Sequence, residues 1–354
     1  MAPPNQLPTR QLGKDGPQVP APGLGLMGLS AGYGQAPPDE ERYRVLDRAW
    51  ELGATFWDTA AGYGDNEVFL GRWFAMHPER RQDIFLATKF GLGWKVEEEG
   101  KISLFVDSSP ENCKAACDQS LQRLGIGCID LFYVHRFDKV TPVEKTMEAL
   151  MELKSGVYRR EGKIKRIGFS ECSSDTLQRG HALHPVSAVQ IEYNPWSLDI
   201  EGDSGTNLLR TCRELGVAIV TYSPLGRGFL TGKLRSVDDL DEKDGRRHLP
   251  RFKAENFSKN LDLVKIIEDL ALEKGCTTTE LVLAWIMAQG PDFIPIPGTK
   301  TVRYLEQNVQ AGAIVISSEE NKHIREAIND MGGPSGERST DTSAYYADTP
   351  PLGL

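Results

Sequence analysis

The sequence predicts a closed (β/α)8 barrel with an N-terminal β-hairpin and long loops at the carboxyl end of the strands. Eight short apolar runs, near residues 23, 55, 85, 130, 165, 189, 219 and 294, nearly all alternate with helical patterns. The runs are apolar on both faces, as buried parallel strands are. No linker interrupts the 354 residues, so the chain reads as one domain over 1–354. The segment 332–354, rich in Gly, Ser, Thr and Pro, is expected to be mobile or draped over a surface.

Composition narrows the class. Hydrophobic residues make up 40% and charged residues 26%, an ordinary globular balance. The net charge of -9 argues against nucleic acid as a partner, which calls for a basic stripe. No apolar run reaches the roughly 18 residues of a membrane span, and Met1-Ala-Pro-Pro-Asn-Gln6 offers no signal-peptide core. A cytoplasmic protein is expected. The six cysteines are scattered; Cys113 and Cys117 share a helix face, but no second ligand pair follows. Free thiols and no metal are expected.

Residues 8–20 read as the hairpin, with Lys14-Asp15-Gly16-Pro17 as its turn. Gly23-Leu-Gly25-Leu-Met-Gly28 matches the dinucleotide fingerprint G-x-G-x-x-G, with Asp47 at ribose-contact distance. That motif must open a helix, yet Ser30–Gly34 and Pro37-Pro38 intervene, so the glycines read as a strand end approaching a neighbour closely. An open doubly wound sheet with a dinucleotide-binding first unit is the competing architecture.

A helix is predicted from about Pro38 to Glu51, stopped by Gly53, and a strand over Ala54–Trp57. Asn66–His77 is helical, with Val68, Leu70, Trp73 and Phe74 facing inward. Ile84–Lys89 is a strand, 90–109 a glycine- and charge-rich excursion, and Ser109-Pro110-Glu111 caps a helix to Leu124. Cys128–His135 is a strand, followed by a helix from Val143 to about Glu161. Strands at Ile164–Ser170, Ala188–Glu192 and Val217–Tyr222 alternate with helices at Ser174–Leu183 and Asn207–Leu215. A long polar segment from Gly226 to Asn260 precedes helices at 261–274 and 278–289, the strand Phe293–Pro297 and a helix from Thr301.

The chemistry sits on polar strand ends. In such a barrel the carboxyl ends of the strands share the active face. That gathers Asp58, Lys89 and His135 from three consecutive strands, with Tyr63 on the loop after Asp58. A carbonyl that accepts hydride becomes an alkoxide and needs a proton, which a phenol can give. A neighbouring lysine is expected to lower the phenol's pKa, with the aspartate holding that lysine charged. The histidine can orient the carbonyl or relay the proton.

Asp58-Thr-Ala-x-x-Tyr63, Thr88-Lys89, Val134-His135-Arg136 and Ser223-Pro224-Leu225-Gly226 resemble the signatures of the aldo-keto reductase family, over about residues 9–315. Residues 223–233, Pro250-Arg-Phe252 and Glu255-Asn-Phe257 resemble its aryl-alcohol-dehydrogenase and pyridoxal-reductase-like branches. The resemblance implies NADP(H)-dependent reduction of an aldehyde or ketone, with the cofactor bound extended and Tyr63 as general acid. By position it implies Tyr222 against the nicotinamide, and Ser170 and Gln190 on the carboxamide. Ser223, Leu225, Gly226 and Arg227 would meet the pyrophosphate. Gly298, Thr299, Lys300 and Arg303 would meet the 2′-phosphate, and Gln307 and Asn308 the adenine. Lys300 and Arg303 flank a predicted helix start, itself a favourable anion site.

Two residues depart from the family pattern: Glu171 stands where asparagine is common, and Gln307 where glutamate is. The expected partner is a small carbonyl substrate. Trp94, Phe105 and Trp196 are candidates for an aromatic pocket wall, with ordinary packing as the alternative, and 91–109 and Tyr345-Tyr346 for specificity. Asp199, Glu201 and Asp203 read as a solvated charge run. The alternative function is a cofactor-sensing accessory subunit of a channel-like partner, with little turnover.

Overall fold

The computed structural model describes residues 3, 5–96, 102–155, 162–202, 206–242, 244–330, 332–340 and 343–353. It opens on an antiparallel hairpin, β1 (Thr9–Gln11) and β2 (Gln18–Pro20). Eight parallel strands follow as a curled sheet: β3 (Leu24–Gly25), β4 (Phe56–Asp58), β5 (Phe85–Phe90), β8 (Ile129–Val134), β9 (Ile164–Ser170), β10 (Ala188–Glu192), β11 (Ala218–Tyr222) and β12 (Phe293–Pro295). Neighbours in this sheet follow chain order, as right-handed crossovers demand. The first and last strands close the barrel: Gly23 N donates to Pro295 O (2.9 Å), Gly25 N to Pro297 O (3.2 Å), and Gly25 bridges Gly298. A Cβ on Gly25 would lie 2.7 Å from Ile296 O, so only glycine permits this seam.

Strand parity builds the core. Phe56, Ala87, Leu131, Tyr133, Ala188, Ala218, Val220 and Ile294 point into the barrel and pack with Leu12 and Val19 of the hairpin, which plugs the amino end. Trp57 points outward and meets Trp73, with ring centroids 4.8 Å apart. The helices ring the sheet: α1 (Asp39–Glu51), α2 (Asn66–Met76), α3 (Pro110–Leu124), α4 (Val143–Ser155), α5 (Ser174–Leu183), α6 (Leu208–Leu215), α7 (Ala254–Lys274), α8 (Thr278–Met287), α9 (Val302–Gln310) and α10 (Ser318–Asp330). Their ends follow local chemistry. Ser109 caps α3, accepting from Asn112 N (3.3 Å), and Gly125 ends it at φ 64. Thr277 and Glu280 form a capping box at α8.

Several local expectations need correction. Val68 is 41% exposed, and the inner position of α2 is the fully buried Phe69. The excursion contains a second hairpin, β6 (Leu92–Val96) with β7 (Ile102–Val106). Helix α7 starts at Ala254 rather than 261, and α10 carries no counterpart in the predicted elements. The predicted last turns of the fourth helix, 156–161, and Asp203 lie outside the described residues. Glu201 is not solvated. It joins Arg325 of α10 (2.8 Å) and accepts from the Tyr193 hydroxyl, stapling the loop after β10 to α10.

Candidate active site

Strand parity delivers the site. Asp58, Lys89, His135, Gln190 and Tyr222 each lie two residues beyond an inward-facing side chain: Phe56, Ala87, Tyr133, Ala188 and Val220. They therefore point inward at the carboxyl mouth of the barrel. Tyr63 arrives on the β4–α2 loop, whose Ala61 N donates to Lys89 O (3.0 Å).

Lys89 is fully buried. Its ammonium donates to Asp58 Oδ1 and to Thr59 O (2.8 Å), and lies 5.1 Å from the Tyr63 ring centroid. Gln190 Nε2 donates to the other carboxylate oxygen, Asp58 Oδ2, at 2.7 Å. Burial pushes the Asp58 carboxyl up, against the pull of Lys89 and Gln190. Burial would lower the lysine, but Asp58 and Tyr63 outweigh it, so the Lys89 pKa is raised and its charge is kept. The Tyr63 ring meets His135 edge-on, centroids 5.7 Å apart. Burial, then Arg136 and Lys89, hold the His135 imidazole well below its usual 6.5. It is neutral at physiological pH, and its buried Nδ1 has no hydrogen-bond partner among the described residues.

The expected direction of the tyrosine pKa is corrected. Lys89 and Arg136 do favour the phenolate, but burial leads, Asp58 adds to it, and the Tyr63 pKa is raised above 10.0. The phenol stays protonated, the form a proton donor needs.

From Asp58 and Tyr63 a cavity of about 510 Å³ runs along the mouth past Tyr222, Ser223, Leu225 and Arg227 to Gly298, Thr299, Lys300, Gln307 and Asn308. This is within the usual range of ligand cavities, roughly 300–1,000 Å³. The backbone beside it is forced. Ser223 (φ 47) and Arg227 (φ 57) are left-handed non-glycine residues, interleaved with Gly226 (φ 55) and Gly228 (φ 91). At the two non-glycine positions such conformations cost about 1–3 kcal/mol each, and they gather at functional sites. At the far end Lys300 donates to the carbonyls of Tyr33 and Gln35 (2.9 Å to the latter), just before the start of α9.

A model of the Aldo/keto reductase family matches residues 23–329. The chain belongs to that family. It is 46% identical over 351 residues to aldo-keto reductase str7 of Strobilurus tenacellus, covering 98% of this chain and 99% of that protein. It is 48% identical over 350 residues to aldo-keto reductase yakc [NADP(+)] of Schizosaccharomyces pombe, with 98% and 99% covered. Among solved structures it is similar to the glycerol dehydrogenase AKR11B4 of Gluconobacter oxydans: TM-score 0.78, 26% identity, 98% of both chains covered. It is also similar to the holo form of the aldo-keto reductase AKR11C1 of Bacillus halodurans: TM-score 0.71, 26% identity, 91% of this chain and 96% of that one covered. As an aldo/keto reductase the chain is an oxidoreductase of carbonyl chemistry.

Within this aldo/keto reductase the sequence-derived residues divide. Most line the cavity, but Lys89, His135, Ser170, Gly226 and Arg303 are not part of its wall. Ser170 Oγ is engaged by Arg136 (3.1 Å), and Arg303 is exposed on the first turn of α9. Gln307 donates to Thr277 Oγ1 (2.8 Å). Asp47, the ribose candidate of the dinucleotide reading, instead pairs with Arg80 (2.8 Å) and is not among the lining residues. Sequence reasoning missed Tyr33, Lys233, Arg246 and Tyr304, which all line the cavity. Arg246 donates to Arg227 O (2.7 Å) and lies 5.0 Å from the Tyr33 ring; the Lys233 ammonium lies 3.5 Å from the Tyr304 ring. The charged 226–252 segment was the available signal for Lys233 and Arg246; nothing local in the sequence marks Tyr33 or Tyr304. The proposed aromatic wall is corrected: Trp196 is 3% exposed and packs on Phe229, while Trp94 is 64% exposed on the β6–β7 hairpin. Phe105 covers Gly93, beside which its ring leaves no room for a Cβ.

Proposed function

We propose that the chain reduces an aldehyde or ketone to an alcohol with NADP(H), Tyr63 serving as general acid. The carrying observation is the convergence of Tyr63, the Asp58–Lys89 pair and neutral His135 at one end of a cavity that has Lys300 and a helix start at its other end.

The residues present suit the cofactor. The cavity is lined from Asp58 and Tyr63 through to Gln307 and Asn308, close-backbone glycines Gly25 and Gly298 lie in its wall, and Lys233, Arg246 and Lys300 supply positive charge for phosphates. Tyr222 with Gln190 would hold the nicotinamide end, Ser223, Leu225, Gly226 and Arg227 the pyrophosphate, and Gly298, Thr299, Lys300 and Arg303 the 2′-phosphate. Gln307 and Asn308 would meet the adenine, and Ser170 the carboxamide. When bound, the cofactor supplies the hydride.

The chain's own residues supply the rest. The Tyr63 hydroxyl hands its proton to the carbonyl oxygen as negative charge develops there. Lys89 stabilises the phenolate left behind, and Asp58 fixes Lys89 in place and keeps it charged. His135, neutral, donates a hydrogen bond to the same oxygen and orients the carbonyl. Burial of Asp58, Lys89 and His135 keeps water from them and strengthens each of these interactions.

The test is oxidation of NADPH, with NADH in parallel, over 4-nitrobenzaldehyde, pyridoxal and methylglyoxal. Turnover that prefers NADPH is expected. Tight NADPH binding without turnover on any carbonyl would contradict the proposal and favour the accessory-subunit alternative.

A further inference from the structure

Glu171, one of the two departures from the family pattern, is the centre of a buried charge cluster that the barrel cannot complete alone. It follows β9 directly, is fully buried and holds a left-handed φ of 52. Its Oε1 accepts from the Tyr222 hydroxyl (2.8 Å) and its Oε2 from Arg338 Nη2 (2.6 Å). A second buried carboxylate, Glu192, lies 3.9 Å from Arg338 Nη1 and 3.7 Å from Arg227 Nη2. Two carboxylates thus face two guanidinium groups, and one of these comes from beyond α10, 167 residues away from Glu171 in sequence.

The C-terminal segment is fastened where Arg338 enters. Ala347 N donates to Glu171 O (2.8 Å), Ser173 N to Ala347 O (3.1 Å), and Thr349 N to Thr176 Oγ1 (3.1 Å). The Arg338 guanidinium lies 3.9 Å from the Tyr345 ring centroid, and Arg136, the neighbour of His135, faces the same ring at 5.4 Å.

We propose that Arg338 is a positioning residue for the cofactor site: by pairing with Glu171 it keeps that carboxylate in place to hold the Tyr222 hydroxyl, and so fixes the ring that walls the nicotinamide end of the cavity. The C-terminal segment thereby sets cofactor affinity. The inference rests on the NADP(H) reading above. Its physical basis is that a buried carboxylate stripped of its cation must neutralise or admit water, and either change loosens the bond to Tyr222.

The test is NADPH titration of the full chain, followed by cofactor fluorescence, for wild type, Arg338→Met, Arg338→Lys, Tyr222→Phe and the double variant Arg338→Met/Tyr222→Phe. Arg338→Met is expected to weaken NADPH binding about tenfold, the scale of one charge-assisted hydrogen bond. Arg338→Lys should recover most of the loss. Tyr222→Phe should weaken binding by itself, and adding Arg338→Met to it should change little further. An unchanged NADPH affinity in Arg338→Met with a raised carbonyl KM would overturn the proposal, leaving the segment as substrate wall alone. Independent, multiplying losses would overturn it too. If Arg338→Met does not fold, Tyr222→Phe decides: wild-type affinity there overturns the proposal. Wild-type protein that binds no NADPH would instead overturn the functional reading, and the inference with it.

Discussion

At the scale of single residues, protonation states make the proposed chemistry specific. Because burial raises the Tyr63 pKa, its acid form persists below that value and is lost only as pH rises through it. Carbonyl reduction should therefore have a flat kcat/KM from about pH 6 to about pH 9, while alcohol oxidation, which needs the phenolate, should rise over the same range. His135, held well below 6.5, should add no limb near neutrality; a limb close to 6.5 in the reduction profile would contradict its neutral state. Replacing Lys89 by methionine leaves Asp58 buried without its cation. Denaturant unfolding should show a loss of about 3–5 kcal/mol, and a loss below about 1 kcal/mol would mean that the pair is not buried as described. The identities of these four groups were legible in sequence, since each lies at or just after the end of an apolar run. The direction of the tyrosine shift was not. Spacing reveals a lysine partner but not the extent of desolvation that opposes it.

At the scale of elements, the β12–α9 connection and the β3–β12 seam carry testable consequences. Lys300 sits just before α9, whose N-terminal dipole favours an anion. Lys300→Met should raise the NADPH dissociation constant about 10- to 100-fold and leave NADH nearly unchanged, the signature of a lost charged contact to the 2′-phosphate. Equal losses with both cofactors would remove that assignment. At the seam, Gly25→Val must push against Ile296 O, and should lower stability by about 1–3 kcal/mol in a thermal or urea melt while also weakening cofactor binding. Most of the eight strands were legible because they are buried on both faces and read as short apolar runs; β9, with Lys165 exposed and Arg166 beside it, and the two-residue β3 were legible by their place in the alternation with helices. The β6–β7 hairpin was not. Trp94 and Leu104 are exposed on it, and the 90–109 segment is rich in charge and glycine. Helix α10 buries only Ile324 and Ile328, too narrow a stripe to separate from its charged surroundings.

At the scale of the whole molecule, the sequence organises two ends of a barrel for different work. The hairpin fills the amino end with Leu12 and Val19, and at the carboxyl end Asp58, Gln190 and Tyr222 of β4, β10 and β11 line one cavity, with Lys89 paired to Asp58 and His135 against Tyr63. Contacts that cross the molecule late in the chain, such as Arg338 to Glu171, were illegible. Nothing local to either residue specifies a partner 167 positions away. If the cavity is a cofactor site, the whole fold should respond to it. NADPH at about a hundredfold excess over its dissociation constant should stabilise the chain by about 2.7 kcal/mol, read as a rise in melting temperature larger than NADH gives at the same concentration. The central claim, that Tyr63 protonates a carbonyl reduced at this site, is tested most directly by single turnover of NADPH-loaded enzyme with a small aldehyde, wild type against Tyr63→Phe. The account predicts a rate lowered about 10²- to 10⁴-fold with NADPH affinity preserved; a Tyr63→Phe protein that turns over at the wild-type rate would contradict it.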